Sequence, residues 1–358
     1  MLADLVANCD SRIRRIGNEQ VHSGDSRWDE FIGIVDRGSM RKPLVRGSLL
    51  RARRSRKNKR ISDGHLGREV SKMKPHSSKF DEGEVMTIAK RPVITASLTT
   101  TVYDVVHIMA ENGFRRIPVV DPNTKRLQGI VTSTDMVNYL GGGAKFQIIQ
   151  QEFKGSFYKA INSPIKAILS PNPPSIRTDA TISDAVRLMT THRVGGLPVV
   201  DNADHVLAIV TERDLLSFFK DRKSELTVAD LMASPVVTMN PATTILEAER
   251  AMIEKSFRRL PIVSEGALVG IVTAMDIVRF FGSGEVFQHL RSGNIHQVLQ
   301  TPALKIGTQK LVTIGSGDSL NEATRIMHMK NIGALLVLDQ ERLVGIITER
   351  DFFKLVSE

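Results

Sequence analysis

From about residue 85 onward, apolar and polar positions follow a pattern that returns four times. Each return carries one strand-like run, read as "FRRIPVVD" at 114, "VGGLPVVD" at 194, "FRRLPIVS" at 257 and "IGALLVLD" at 332. A short polar turn follows ("DPNTKR", "DNADH", "SEGA", "DQER"), then a second run: "GIVTSTD" at 129, "AIVTERD" at 208, "GIVTAMD" at 270 and "GIITERD" at 345. Turns this short between two strand-like runs predict hairpins. Upstream of each hairpin a Ser or Thr precedes an acid by three residues: Thr101 and Asp104, Thr181 and Asp184, Thr244 and Glu247, Ser319 and Glu322. That spacing is a capping box, and it stands before helical runs such as "ISDAVRLM", whose Ile182, Ala185, Val186 and Met189 share one face. Each repeat therefore reads strand, helix, strand, strand, helix, and the fold class is α+β.

The repeats are not equivalent. The first and third share Phe-Arg-Arg before the hairpin, whereas the second and fourth share Gly195 or Gly333 there and the fuller "TERD". The linkers echo each other as well, with "GGGAKFQ" at 141 matched by "GSGEVFQ" at 282. This A-B-A-B order implies a duplicated pair, so the expected structural unit is two repeats covering each other's sheet rather than a solenoid. The expected bounds are 85–141, 163–220, 226–282 and 296–356, with residues 1–80 as a separate arm.

Charge sets that arm apart. The chain of 358 residues has a formal net charge of +10, and all of the excess lies in residues 1–80. The run "RKPLVRGSLLRARRSRKNKR" at 41–60 holds ten basic residues and no acid, without apolar periodicity. Such a segment cannot bury enough surface to offset its ordering entropy, so the arm is expected to be disordered. A solvated tail and a polyanion-binding arm, for nucleic acid through residues 41–60 or for anionic lipid, both fit it. Met40 stands directly before the run and is a second candidate start.

Composition narrows the chemistry. Apolar runs such as Ala334–Leu338 fall far short of the roughly 20 residues needed to cross a bilayer, so no membrane span is expected. A single cysteine, Cys9, excludes a disulfide framework and a cysteine-built metal site, and a reducing, cytoplasmic location fits best. His107, His192 and His328 each stand alone on predicted helices, and "GGG" at 141 lacks the Lys-Ser/Thr of a phosphate-binding loop. No nucleophile or metal constellation emerges. The expectation is a non-enzymatic sensor acting on an unidentified regulated protein.

Four units of about 60 residues, each with an h-P-V-V-D strand followed by G-h-h-T-x-x-D, resemble cystathionine beta-synthase (CBS) domains, whose tandem pairs form Bateman modules. The arrangement is similar to four-repeat archaeal CBS proteins related to the gamma regulatory subunit of AMP-activated protein kinase. The resemblance implies two modules facing each other as a disk of four repeats. It also implies adenine-nucleotide ligands, AMP, ADP or ATP.

The Thr-x-x-Asp pairs admit two compatible roles. As caps, Thr closes the helix N-terminus and Asp offsets its dipole. As a ligand grip, the same helix start presents free N–H groups and a carboxylate able to accept two vicinal hydroxyls. By resemblance the ribose-binding pairs are Thr132 with Asp135, Thr211 with Asp214, Thr273 with Asp276, and Thr348 with Asp351. The phosphate-binding cations implied are Arg115, Arg116, Arg258 and Arg259 at the hairpin starts, with Arg213 and Arg350 beside the ribose Asp. Val93, Ile94, Val236 and Val237 are candidate base walls, although ordinary core is the better reading of them. Ala208 replaces the glycine of the other repeats and Leu336 replaces their proline, so two or three filled clefts are expected rather than four. An S-adenosylmethionine sensor and a nucleic-acid-associated regulator are the alternatives, and a homodimer is compatible with the sequence.

Overall fold

The computed structural model describes residues 85–217, 225–284, 286–289 and 293–355. The basic arm, its expected disorder, the 41–60 run and Cys9 lie outside the described residues.

All four hairpins form where the pattern places them. They are β1 (Arg116–Val120) with β2 (Leu127–Thr132), β5 (Gly196–Val200) with β6 (Val206–Thr211), β7 (Arg259–Ser264) with β8 (Ala267–Thr273), and β10 (Ala334–Asp339) with β11 (Arg342–Thr348). Each slips register at the same place, after Val119, Val199, Ile262 and Val337. The leading strand is weaker than expected. It survives as β4 (Ile176–Arg177) and β9 (Thr313–Ile314), both parallel to their hairpins, but shrinks to single bridges at Ala96 and Met239 in the first and third repeats.

All four Ser or Thr residues start helices as predicted, with the reciprocal box complete at Thr181 and Thr244 and the return bond missing at Thr101 and Ser319. Thr101, Thr181, Thr244 and Ser319 cap Val102–Asn112, Ile182–Thr191, Ile245–Glu254 and Leu320–Lys330. On Ile182–Thr191 the buried residues are Ile182, Ala185, Val186 and Met189, the face read from periodicity.

Two kinds of contact join the repeats. Within each tandem pair the leading segments cross over. Lys90 of the first repeat bridges Ile209 of the second, while β3 (Ser170–Pro171) of the second pairs antiparallel with β2 of the first. The third and fourth repeat this exchange through Ala233 with Ile346 and Ile271 with Thr308. The apolar helix faces pair differently. One core joins the first and third repeats and both echoing linkers, and a second joins the second and fourth. Tandem repeats thus pair as the duplication implies, through crossing backbone edges, and their helix faces also pack against the other module. Backbone exchange satisfies N–H and C=O groups, while burying a large apolar side chain is worth about 1.5–3 kcal/mol.

The two sequence departures have local explanations. A Cβ on Gly129 would lie 1.9 Å from Leu169, and one on Gly345 2.3 Å from Met232. Lys90 bridges Ile209 as Ser170 pairs with Ile130 and Ala233 bridges Ile346, so Ala89 holds the place of Leu169 and Met232 on the segment that crosses beside Ala208. A small residue on the crossing segment leaves room for the extra methyl. Leu336, in place of proline, pairs with both Ile346 and Thr313 inside its sheet.

Candidate functional site

Thr132, Thr211 and Thr273 cap the helices that start at Ser133, Glu212 and Ala274, and the Thr348–Asp351 pair leads into the 3-10 turn Asp351–Leu355. Backbone N–H groups of Thr132, Thr211, Thr273 and Thr348 donate to the Oδ2 of Asp135, Asp214, Asp276 and Asp351 at 2.9, 2.9, 2.8 and 2.8 Å. The Thr hydroxyls donate to the same oxygens at 2.6, 2.7, 2.7 and 2.8 Å. The cap uses one carboxylate oxygen in every case and leaves Oδ1 for another partner. That partner differs: Lys145 Nζ at 2.7 Å for Asp135, Lys90 at 3.6 Å for Asp214, Arg279 at 3.4 Å for Asp276 and Lys354 at 3.2 Å for Asp351. Burial pushes the Asp276 carboxyl above its ordinary value, against the Thr273 hydrogen bonds and Arg279.

Arginines from all four repeats converge between them. Arg115 and Arg213 donate to Glu349 at 3.0 and 2.8 Å, and Arg258 and Arg350 donate to Glu212 at 3.4 and 2.7 Å. Arg259 donates to the Gly333 carbonyl at 2.6 Å. Loss of hydration lowers the guanidinium pKa of Arg116 and Arg259 to about 10, which leaves both cationic at neutral pH. Burial acts to raise the Glu212 carboxyl, but Arg258, Arg350 and Arg116 outweigh it and hold the group below its ordinary value. Six guanidinium groups face two carboxylates, so the cluster carries a charge of about +4. Among the described residues, Arg213 Nη2 is buried without a hydrogen-bond partner.

The A-B alternation makes this packing fit. A Cβ on Gly195 would lie 2.6 Å from an Arg116 nitrogen and 2.8 Å from Arg258, and one on Gly333 2.8 Å from Arg115. Arginines of the first and third repeats therefore lie in space left open by glycines of the second and fourth.

Beside the cluster is a cavity of about 560 Å³. Arg115, Arg116, Arg213, Arg258 and Arg259 line it, as do Thr211 with Asp214 and Thr273 with Asp276. Its apolar walls are Val93, Ile94, Pro118 and Ile209 on one side and Leu311, Val312, Leu336 and Ile271 on the other. Thr132, Asp135, Thr348, Asp351 and Arg350 are not on its lining, nor are Val236 and Val237. Sequence reading missed Glu212, Glu349, Lys90 and Lys310. The two glutamates did leave a signal: they are the Glu of "TERD", where the first and third repeats have Ser133 and Ala274.

Comparison with known proteins agrees with this organisation. The CBS domain family model matches residues 83–142, 165–221, 228–283 and 305–358. Protein MJ1225 of Methanocaldococcus jannaschii is 36% identical over 273 residues, which cover 75% of this chain and 98% of that one. Its crystal structure, proposed as that of an archaeal homolog of g-AMPK, superposes with a TM-score of 0.73 over 76% of this chain and 99% of that chain, at 34% identity. A 33.4 kDa protein in the ribosomal RNA operon of Thermofilum pendens is 32% identical over 260 residues, 73% of this chain and 86% of its own length. The inosine-5'-monophosphate dehydrogenase of Nitrosopumilus maritimus shares 30% identity over 205 residues, 55% of this chain but 41% of the enzyme. With four family matches that coincide with four hairpins, and a relative alike along nearly its whole length, the chain belongs to the CBS domain family.

Proposed function

We propose that the protein is a cytoplasmic, non-enzymatic regulator that binds adenine nucleotides in its tandem-repeat clefts and signals to a partner protein through rearrangement of its two modules. The repeats would span 85–141, 163–220, 226–282 and 296–356, with residues 1–80 as a separate arm. The observation that carries the proposal is the convergence of two Thr-x-x-Asp pairs and six arginines, Arg279 among them, on one cavity. Its volume is within the range of small-molecule sites.

Each part of a nucleotide has a matching group. The Oδ1 atoms of Asp214 and Asp276 would accept ribose hydroxyls, since the caps use only Oδ2. Val93, Ile94 and Ile209 would cover one base, and Leu311, Val312 and Ile271 the other. Phosphates would meet the arginine cluster, where the unpartnered Arg213 Nη2 is a ready donor. Because the arginines are shared among repeats, the number of phosphates bound would bias the arrangement of the modules. The likeness to MJ1225, proposed as a g-AMPK homolog, supports the same reading. Excess positive charge favours phosphate-bearing ligands over the sulfonium of S-adenosylmethionine.

Calorimetric titration with AMP, ADP, ATP and S-adenosylmethionine tests this. Asp214→Asn and Asp276→Asn should each weaken one site about ten-fold or more, the loss of one charged hydrogen bond. Unchanged affinity and stoichiometry for all four ligands in both variants would rule the proposal out, and selective binding of S-adenosylmethionine would replace it.

A further inference from the structure

Asp135 of the first repeat is held differently from Asp214, Asp276 and Asp351, and the difference lies in a residue outside the repeat itself. Lys145 belongs to the linker "GGGAKFQ", and Val286 holds its place in the echoing linker "GSGEVFQ". Its backbone N–H donates to Asn138 Oδ1 at 2.8 Å, which fixes where the side chain starts. From there Nζ reaches Asp135 Oδ1 at 2.7 Å and also donates to the Ile168 carbonyl on the crossing segment of the second repeat. Ser170 Oγ donates to the same Oδ1 at 3.1 Å. Asp135 thus has Oδ2 consumed by the cap and Oδ1 held by two donors.

The contrast with Asp214 is one of geometry. There the cation is Lys90, 3.6 Å away with a side chain 74% exposed, whereas the Lys145 side chain is 25% exposed. A loosely held, solvated ammonium can swing aside for a ligand. One anchored at both ends and screened from water stands where the hydroxyls would have to go.

We propose that Lys145 closes the first-repeat cleft to nucleotides and so decides which clefts of this protein bind. This rests on the nucleotide reading of the other clefts. The prediction is a latent site that one substitution opens.

The full chain carrying Lys145→Met, which keeps the aliphatic stem, should bind one more AMP per chain than the parent. Adding Asp135→Asn to it should abolish the gained site. Asp135→Asn alone should leave the parent's AMP affinity and stoichiometry unchanged, in contrast to Asp214→Asn. That arm holds even if Lys145→Met lowers the melting temperature. A parent that binds AMP, together with a folded Lys145→Met variant that gains nothing, overturns this proposal alone, as does an Asp135→Asn chain that loses a site. A parent that binds none of the nucleotides overturns the underlying reading of the clefts and this inference with it.

Discussion

Glu249 is fully buried on the helix Ile245–Glu254, and among the described residues both its carboxylate oxygens lack a hydrogen-bond partner. It faces the glycines of the first linker: a Cβ on Gly141 would lie 2.1 Å from Oε2. Burial raises its pKa well above the ordinary 4.5. A raised folded-state pKa means that the folded protein keeps a proton the unfolded chain releases, so stability falls as pH rises above about 4.5. Glu249→Met keeps similar volume and removes the unsatisfied oxygens. It should stabilise the protein by about 1–3 kcal/mol near neutral pH. Chemical denaturation across pH should show the advantage growing with pH and vanishing in acid. An advantage that shrinks as pH rises would mean the carboxyl has a partner in solution.

Between elements, close backbone approach is what the glycine linker supplies. A Cβ on Gly142 would meet the Glu249 carbonyl oxygen at 2.6 Å and its carbon at 2.8 Å. These are backbone atoms of a helix and cannot swing away as a side-chain tip can. Gly142→Ala should therefore push apart the helices joining the first and third repeats and cost about 1–3 kcal/mol. Gly317, where a Cβ would meet nothing within 4 Å, provides the control, and its alanine variant should stay within about 0.5 kcal/mol of the parent. Denaturant midpoints decide it, since equal effects from the two substitutions would remove the packing explanation.

At the scale of the molecule, both cores bridge the tandem pairs. A fragment of residues 75–225 would carry the first two repeats and leave one apolar helix face of each core uncovered. Exposed contiguous apolar surface of that kind drives association. The isolated fragment should self-associate at micromolar concentration in sedimentation velocity, with two copies standing in for the two modules. A monomeric, fully folded fragment would show that the backbone exchange alone holds a module together.

What the linear pattern determined is local. Hairpins, capping boxes and the buried face of Ile182–Thr191 each depend on residues a few positions apart, whose steric and hydrogen-bonding preferences act before any long-range contact forms. The arginines and aspartates of the site were legible for the same reason, as repeated types at repeated offsets. Tertiary structure alone decided which of them meet. Arg115 and Glu349 are 234 residues apart, and nothing in the neighbourhood of either names the other. How far each leading segment pairs was also decided in three dimensions: single bridges at Ala96 and Met239 in the first and third repeats, two-residue ladders in the second and fourth. Lys145 reads as one more linker cation, and Glu249 as one more polar helix residue, until the chain closes around them. Burial and the identity of a distant partner then set one against Asp135 and raise the carboxyl of the other well above its ordinary value, because desolvation and Coulomb attraction depend on what lies nearby in space rather than along the chain.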